Sequence, residues 1–270
     1  MAIRLVALDL DGTLLDSNKR LTLRTQGAIE RANRMGVRVV IASARPPRSV
    51  QPLYDRLGLR TVQIVYNGAM VWDPVRHKVL LHRPLATDAA RQVIDAARGK
   101  FPDTLVSLEV LNRWYTDRFD EALAQDNGVT LRPDGIGPLE EILIEPVTKL
   151  MLIGTHEQAL AMEQLLNERF GKQLSVLRSD ENLVQVMHPR AGKSSAITLV
   201  AELYGVSRDE VMAIGDAPND LGMIQWAGLG VAVHNAHPRV LAAADYITAS
   251  NDEDGVAEAI EMFVVGAPAE

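Results

Sequence analysis

Short apolar runs alternate with helical patterns along the first 80 residues of the chain. The run Leu5–Leu10 predicts a strand, and Arg24–Met35 then places its apolar residues on one helical face. Val37–Ala42 and Val62–Tyr66 predict two further strands, with a helix between them that opens on two prolines. The turn signal Asn67-Gly68 and the apolar residues after it predict a short hairpin. Strands and helices that alternate with short connections predict a parallel sheet with helices on its faces.

The last 80 residues return to the same alternation. A helix is predicted over Lys193–Tyr204, and strands are predicted over Val211–Ile214, Leu229–Val233 and Tyr246–Thr248. Ser207 and a glutamate three residues later have the spacing of a capping box, but a strand pattern follows at once, so we predict a short turn there. The two ends of the chain therefore belong to one parallel-sheet domain.

The middle of the chain, about 83–187, has a different pattern. Helices are predicted after two threonine N-caps, Thr87 and Thr155. Between them, apolar and polar residues alternate imperfectly, which is typical of a sheet covered on one face. These runs are Leu105–Leu111, Lys149–Ile153, Leu174–Leu177 and Leu183–Met187. We predict an α/β protein with a Rossmann-like parallel-sheet core over residues 1–82 and 188–270, and an inserted α+β domain over 83–187.

The composition indicates a globular protein and excludes several kinds of partner and chemistry. The chain has 270 residues, 47% of them hydrophobic and 23% charged, so it can bury a sizeable core. Its net charge of −7 argues against a nucleic acid or an anionic membrane surface as the main partner. The absence of cysteine excludes disulfides and thiolate chemistry. We see no signal peptide and no apolar run of about 18 residues, so we expect a soluble cytoplasmic protein of undetermined oligomeric state.

Four polar stretches mark one predicted edge of the parallel sheet. Three of them follow strands and one opens a helix; they are Asp9–Thr13, Ser43–Arg45, Gly192–Ser194 and Gly215–Asp220. In open α/β sheets, ligands bind at the carboxyl ends of the strands, so these stretches predict one site.

The residue types in these stretches predict phosphoryl-transfer chemistry. Three carboxylates in one pocket, those of Asp9, Asp216 and Asp220, require a cation, and oxygen ligands favour Mg²⁺. The other members supply positive charge and hydrogen-bond donors: Ser43, Arg45, Lys193 and Asn219. A carboxylate can attack phosphorus to form an acyl phosphate, and a second carboxylate can serve as general acid and base.

Each stretch also has an ordinary structural interpretation. Asp11-Gly12 is a common turn dipeptide, Ser43 could cap the next helix, and Lys193 could be an ordinary lysine at a helix start. All of these interpretations would have to hold together at one sheet edge, so we favour a site. A calcium loop would need a glutamate where Arg20 stands, and a P-loop would need a glycine where Met187 stands.

The four stretches resemble the four motifs of the haloacid dehalogenase (HAD) superfamily. The inserted domain and Asn67-Gly68-Ala69 resemble its Cof-type subfamily, which has a type-II α/β cap. The resemblance implies a Mg²⁺-dependent phosphatase that forms an aspartyl-phosphate and acts on a small phosphorylated metabolite, such as a sugar phosphate. Ser43-Ala44-Arg45 departs from the Thr-Gly-Arg that is usual in the family, which keeps the hydroxyl but alters the backbone beside it.

The resemblance also implies a role for each residue. Asp9 would be the nucleophile and a metal ligand, and Asp11 would be the general acid and base and would offer its backbone carbonyl to the metal. Asp216 would bind the metal directly, and Asp220 would support it or Lys193. The phosphoryl group would be bound by Thr13, Ser43, Arg45, Lys193 and Asn219.

Two other functions remain open from the sequence. A phosphosugar mutase would carry the same acidic pair, and a metabolite-binding relative without activity would have no need of one. In the inserted domain, several residues could contact a leaving group or serve only the fold: Arg113, Trp114, Tyr115, Arg178 and His188. The identity of the substrate cannot be read from these positions.

Overall fold

The computed structural model describes residues 2–119, 125–126, 129–130 and 132–266. The chain divides into two compact units, which we call the core unit (Met1–Leu81 with Gly192–Glu270) and the inserted unit (His82–Ala191). The sequence predicts boundaries after residues 82 and 187. Residues 188–191 instead belong to the inserted unit, where the Arg83 guanidinium donates a hydrogen bond to the Arg190 carbonyl.

The strands account for both predicted sheets. They are β1 (Leu5–Leu8), β2 (Arg38–Ile41), β3 (Gln63–Val65), β4 (Met70–Asp73), β5 (Lys78–His82), β6 (Leu105–Val110), β7 (Arg113–Thr116), β8 (Gln125–Asp126), β9 (Val129–Thr130), β10 (Gly135–Ile136), β11 (Lys149–Ile153), β12 (Ser175–Asp180), β13 (Leu183–Met187), β14 (Val211–Gly215), β15 (Leu229–Val233) and β16 (Tyr246–Thr248). Each predicted strand is confirmed, although the first ends at Leu8 rather than Leu10 and β12 extends to Asp180. The strands β5, β7, β8, β9 and β10 have no counterpart in the sequence patterns.

The helices complete the alternation. They are α1 (Leu23–Arg34), α2 (Pro47–Leu57), α3 (Thr87–Lys100), α4 (Leu139–Ile142), α5 (His156–Phe170), α6 (Lys193–Tyr204), α7 (Leu221–Trp226), α8 (Pro238–Leu241) and α9 (Gly255–Ile260). Short 3₁₀ turns lie at 66–68, 208–210, 218–220 and 251–253, and a π turn follows α9. Within the described ranges, none of the helices combines the length and the apolar character needed to cross a membrane.

The two threonine caps predicted in the inserted unit have different outcomes. Thr155 caps α5 as predicted, in a capping box with Gln158. Thr87 is the first residue of α3, and Ala86 occupies the N-cap position without a side-chain cap hydrogen bond, so this predicted cap is wrong. The preceding Leu85 pairs with Val147 in a β-bridge, which fixes where the chain turns into the helix.

The core unit is built on a parallel sheet with the strand order β16-β15-β14-β1-β2. Its strand β1 lies between β14 and β2, pairs Leu5 with both Val211 and Arg38, and has all four of its side chains fully buried. Burial on both faces explains why this strand has no polar position until Asp9. The sheet therefore presents its polar residues where the strands end.

A second, smaller sheet, β3-β4-β5, extends the core unit and contains the predicted hairpin. The turn between β3 and β4 places Asn67 and Gly68 at φ angles of 53° and 84°. A Cβ on Gly68 would lie 2.3 Å from the carbonyl oxygen of Gly192, so only glycine fits here. This close approach brings the end of β3 against the start of α6.

The inserted unit contains a sheet with the strand order β10-β7-β6-β11-β13-β12. Its pairs are antiparallel except for β10 with β7. Alternate residues of its central strands, such as Leu108, Leu150 and Val186, form a buried apolar cluster with residues of α3 and α5. One face of the sheet is therefore covered by helices, which confirms the predicted α+β character.

Candidate active site

The ends of β1, β2 and β14 bring the predicted acids and hydroxyl to one edge of the core unit. Asp9 follows β1 directly, and its backbone N–H donates to the carbonyl of Ile214, 2.9 Å away. Ser43 follows β2 and Asp216 follows β14 at the same end of the sheet. Asp9 and Ser43 are both buried, at 6% and 1% exposure, so each needs partners within the protein.

Lys193 supplies the charge that the buried acids require. It is the first residue of α6, and its Nζ atom lies 2.5 Å from Asp9 Oδ1 and 2.6 Å from Asp220 Oδ1. Burial lowers the pKa of Lys193, but the charges of Asp220 and Asp9 outweigh burial, and the pKa lies above its ordinary value. Lys193 is therefore a buried ammonium group shared by two carboxylates.

Asp220 is fully buried and uses both of its carboxylate oxygens within the protein. While Oδ1 accepts from Lys193, Oδ2 accepts hydrogen bonds from the backbone N–H groups of Asp216 and Ala217, at 3.1 and 3.0 Å. Asp220 thus orients the lysine and fixes the loop that carries Asp216. Of the two functions predicted for it, the support of Lys193 is the one that these contacts match.

Asp216 is bound by Thr13 and lies close to Gly12. The Thr13 hydroxyl donates to Asp216 Oδ1 at 2.7 Å, and the Asp216 backbone carbonyl accepts from the His237 N–H at 2.8 Å. Gly12 has a φ of 87°, and a Cβ there would lie 2.6 Å from Asp216 Oδ2. The glycine of the first motif therefore leaves room for this carboxylate as well as turning the chain.

Asp9, Asp216 and Asp220 offer carboxylate oxygens that all lie within 4.8 Å of one another. Burial raises the pKa of Asp9, the charge of Asp220 adds to the effect, and Lys193 opposes it. Burial also raises the pKa of Asp216, against the hydrogen bond from Thr13. A hard divalent cation would relieve this crowding of negative charge, and the oxygen donors suit one. The side chain of Asp11 is not part of this group.

Asp11 instead forms ion pairs with two cations. Arg45 donates from Nε and Nη2 to the two oxygens of Asp11, at 2.7 and 2.6 Å, and Lys19 Nζ lies 2.8 Å from Oδ1. Burial acts to raise the pKa of Asp11, but the hydrogen bonds and charges of Arg45 and Lys19 outweigh it, so the pKa is lowered. In this arrangement the proposed acid and base is a carboxylate.

Two amide side chains and Ser43 form the opposite side of the edge. Asn219 Nδ2 donates to Asn67 Oδ1 at 2.9 Å, and the Asn67 N–H donates to the Ser43 carbonyl at 2.9 Å. The Ser43 hydroxyl accepts from the Arg45 N–H at 3.1 Å. Ser43 does not cap α2, whose N-cap is Pro46, so its structural interpretation as a cap is wrong.

Three residues beside the site were not predicted as part of it: Lys19, Asn67 and Asn235. Asn235 follows β15 and donates from Nδ2 to the Gly12 carbonyl at 2.8 Å, while its Oδ1 accepts from the Asn251 N–H at 2.9 Å. Asn67 and Asn235 both follow strands of the core unit, and that position was the signal available in the sequence. Lys19 lies in an irregular segment and carries no comparable signal.

The residues of the inserted unit that could have contacted a leaving group have partners within that unit. Arg113 pairs with Glu145 at 2.7 Å, and its guanidinium lies over the ring of Tyr115. The Trp114 indole donates to the Ser107 hydroxyl. Two more complete the set, with Arg178 paired to Glu163 and His188 accepting from the Arg190 N–H. Each of them therefore has a contact within the inserted unit.

Comparison with known proteins agrees with the geometry. Residues 6–260 match the family described as haloacid dehalogenase-like hydrolase. A putative phosphatase of Bacillus subtilis, YxeH, is 32% identical over 267 residues, covering 97% of this chain and 98% of its own length. A second B. subtilis protein, the 5-amino-6-(5-phospho-D-ribitylamino)uracil phosphatase YitU, is 30% identical and covers 96% of this chain and 97% of itself.

A solved structure gives the same result for the fold. A haloacid dehalogenase-like hydrolase from Bacteroides thetaiotaomicron superposes with a TM-score of 0.86 at 31% identity, covering 96% of this chain and 98% of the other. The likeness extends over both units of the chain, so it covers the inserted unit as well as the parallel sheet.

Proposed function

We propose that this member of the haloacid dehalogenase-like hydrolase family, a phosphomonoester hydrolase, cleaves a small phosphorylated metabolite. The reaction would pass through an aspartyl-phosphate on Asp9 and would use Mg²⁺. The observation that carries the proposal is the placement of Lys193, whose Nζ contacts Asp9 and Asp220 in a fully buried position. A lysine held at the nucleophile can neutralise a phosphoryl group there. If Asp9 and Asp220 served only the fold, their ion pairs with Lys193 would not need to lie beside a third carboxylate, that of Asp216.

The metal would be held by Asp9 and Asp216, with the backbone carbonyl of Asp11 as a further oxygen ligand. Bound there, Mg²⁺ would supply positive charge to the phosphoryl oxygens and to the nucleophilic carboxylate. Asp220 would act on the site through its hydrogen bonds to Lys193 and to the Asp216 loop.

The chemical step would use two carboxylates in turn. An oxygen of Asp9 bonds to phosphorus while the bond from phosphorus to the leaving oxygen breaks, and a protonated Asp11 gives its proton to that oxygen. Water then attacks phosphorus, Asp11 takes the proton back, and the bond between Asp9 and phosphorus breaks. Asp9 is regenerated, and inorganic phosphate is the second product.

The ion pair between Asp11 and Arg45 must change during this cycle. A carboxylate held by two cations has a lowered pKa and cannot donate a proton. We propose that the phosphoryl group of the substrate takes over the Arg45 guanidinium, which matches the bidentate geometry of phosphate oxygens. Substrate binding would then free Asp11 for protonation. Thr13, Ser43, and Asn219 are proposed to complete the phosphoryl site.

The substrate is proposed to be a phosphorylated sugar or polyol derivative. The support comes from YitU, whose name describes a substrate with a phosphorylated ribityl chain. The inserted unit is proposed to be the cap that selects the leaving group, within residues 83–187 as predicted from the sequence. A cytoplasmic location stays a prediction.

A screen of phosphate release over phosphorylated metabolites, with and without Mg²⁺, tests this function. Asp9→Asn should abolish release without unfolding the protein, because the amide has a similar shape but cannot form the acyl phosphate. The matched control is Asp16→Asn in the same segment, where the acceptor Oδ1 that binds the Asn18 and Arg20 N–H groups would be kept. Formation of an isomeric phosphate instead of inorganic phosphate would point to a mutase. Ligand binding without any turnover would contradict the enzymatic proposal.

A further inference from the structure

A charged cleft lies in the core unit, at the end of the sheet opposite the active site. It has a volume of about 480 Å³ and is lined by Arg38, Arg60, Arg76, Asp73 and Tyr204, with Val75 and Leu203 at its margin. Arg38 begins β2, and Ser43 follows the same strand. Five residues of extended chain separate them by on the order of 16 Å. The cleft is therefore separate from the active site.

The guanidinium groups give this cleft a positive charge that its single acid does not balance. Asp73 is 5% exposed, and its Oδ1 accepts from the Val75 and Arg76 N–H groups, both at 3.0 Å, while Oδ2 pairs with the exposed Arg76 side chain at 3.3 Å. Within the described ranges, neither Arg38 nor Arg60 forms an ion pair with a carboxylate. In a chain with a net charge of −7, this cleft is a local concentration of positive charge.

Tyr204 gives the cleft a fixed aromatic wall. Its hydroxyl accepts a hydrogen bond from the Val62 N–H at 2.9 Å, which ties the end of α6 to the start of β3. The Arg38 guanidinium lies over its ring, 5.0 Å from the centroid. Arg38 is therefore held in place by stacking while its N–H groups face no carboxylate.

The apolar margin suits the organic part of a ligand. Val75 is 53% exposed and Leu203 is 51% exposed, and both border the cleft next to the arginines. The volume lies within the range of about 300 to 1,000 Å³ that is typical of sites for small molecules. Fixed polar groups beside apolar surface are the usual composition of such sites.

We propose that this cleft binds a small organic anion with at least two negative charges, carried by phosphate or carboxylate groups. Arg60 and Arg76 would hold the charged groups with charge-assisted hydrogen bonds, and Arg38 would contribute its remaining N–H donors. The apolar part of the ligand would lie against Val75 and Leu203. This site neither depends on the proposed reaction nor contributes residues to it.

Calorimetric titration with pyrophosphate and with citrate, in buffer free of divalent cations, tests the proposal. The Arg60→Gln/Arg76→Gln double variant removes two exposed guanidinium groups of the cleft and should weaken binding at least about tenfold, since each lost charge-assisted bond is worth about 1.5 to 3 kcal/mol. A matched variant, Arg91→Gln/Lys172→Gln, removes two exposed cations of the inserted unit and should bind as the wild type does. Arg45→Gln, at the active site, should also keep the cleft binding.

The two probes separate the chemistry of the ligand. Binding of both indicates recognition of charge, and binding of one alone assigns the cleft to phosphate or to carboxylate groups. The proposal is overturned if the wild type binds neither probe, or if the cleft variant and the matched variant lose equal affinity. Thermal unfolding of each variant checks that the fold is intact, and Arg60→Gln alone provides the same test should the double variant unfold.

Discussion

The guanidinium of Arg45 donates one hydrogen bond to each carboxylate oxygen of Asp11, at 2.7 and 2.6 Å. This bidentate pair joins the ends of two neighbouring parallel strands, since Asp11 follows β1 and Arg45 follows β2. It holds the proposed acid and base as a carboxylate until another anion competes for the arginine. The phosphoryl group of a substrate is the anion that the proposed function supplies.

The variant Arg45→Lys tests this competition. Lysine keeps the positive charge but cannot donate two parallel hydrogen bonds to a carboxylate or a phosphate. We expect kcat/KM to fall by about 10- to 100-fold, from the loss of about 1.5 to 3 kcal/mol in charge-assisted bonding. Steady-state kinetics on a substrate found in the phosphate-release screen would measure the effect.

Lys19→Gln is the matched control for that variant. Lys19 also contacts Asp11, but its side chain is 46% exposed, so the pair should contribute no more than about 1 kcal/mol. We expect kcat/KM to change by less than about fivefold. If Lys19→Gln were as damaging as Arg45→Lys, the bidentate geometry would not be the cause.

The raised pKa values of Asp9 and Asp216 predict how stability depends on pH without a metal. Relative to the ordinary value of 3.8, a raised pKa in the folded state gives stability that is present at low pH and is lost as pH rises through the folded pKa. Lys193, whose pKa is raised above 10.5, makes no change in this range. The contribution of these two acids to the stability of the metal-free protein should therefore fall as pH rises above about 4, whereas the lowered pKa of Asp11 affects stability mainly below that pH.

Binding of Mg²⁺ should restore the stability that is lost when Asp9 and Asp216 ionise, and its effect should be larger at high pH. A metal binds the ionised carboxylates, so its stabilising effect grows as they lose their protons. Calorimetric melting temperatures with and without Mg²⁺ at pH 5 and pH 8, at matched ionic strength, would show the larger increase at pH 8. An equal increase at both pH values would mean that Mg²⁺ does not bind at these acids.

The pair Gly68→Ala and Gly58→Ala tests the close approach between β3 and α6. Both glycines have positive φ angles, but a Cβ at Gly68 would lie 2.3 Å from the Gly192 carbonyl, while a Cβ at Gly58 would have nothing within 4 Å. Gly58→Ala should cost about 1 to 2 kcal/mol of unfolding free energy, from backbone strain alone. Gly68→Ala should cost more, about 2 to 4 kcal/mol, because the backbone must also move.

Denaturant unfolding of the two glycine variants would measure the difference. Gly68→Ala should also lower kcat, because Gly192 precedes Lys193, the lysine that contacts Asp9, the proposed nucleophile. Equal destabilisation by both substitutions, with kcat unchanged, would show that the contact with Gly192 is not needed to position Lys193.

The periodicity of the sequence was sufficient for the core sheet and for the edge at which the site lies. Asp9 and Ser43 end buried strands, and parallel strands bring such ends together whatever the details of packing. The position of Asn235 after β15 could be read from the sequence, but its contact with Gly12 could not, and the contact of Lys19 depends on how an irregular segment folds back on the first motif. Local patterns carry no information about such distant pairings.

The predicted cap at Thr87 failed for a related reason. Threonine is a good N-cap, but the position of a cap is set by the residue at which the backbone turns into the helix. Here the bridge between Leu85 and Val147 ends the extended chain, which makes Ala86 the N-cap. A tertiary contact thus decided a boundary that local preference had placed one residue later.

The contacts of Asp216 and Asp220 predict that replacing each aspartate by asparagine will affect different properties, the Mg²⁺ requirement for Asp216 and the stability for Asp220. Asp216→Asn removes a charge from a carboxylate that is proposed to bind Mg²⁺, so the concentration of Mg²⁺ for half-maximal activity should rise at least about tenfold. In Asp220, one carboxylate oxygen accepts from Lys193 and the other accepts from the N–H groups of Asp216 and Ala217. Asp220→Asn keeps only one oxygen acceptor, so one of these two sets of hydrogen bonds is lost. It should lower the unfolding free energy by about 3 kcal/mol, as expected when a buried ion pair loses one partner.

Activity measured over a range of Mg²⁺ concentrations, together with denaturant unfolding, separates the two roles. Asp220→Asn should reduce kcat and stability but change the half-maximal Mg²⁺ concentration by less than about threefold, because a residue with both oxygens engaged acts through the lysine and the loop. Asp216→Asn should raise the half-maximal Mg²⁺ concentration and change stability little, since its carboxylate is only partly buried. A requirement for Mg²⁺ that rose equally in both variants would make Asp220 a metal ligand, and the lysine would then have to give up one of its two carboxylates when the metal binds.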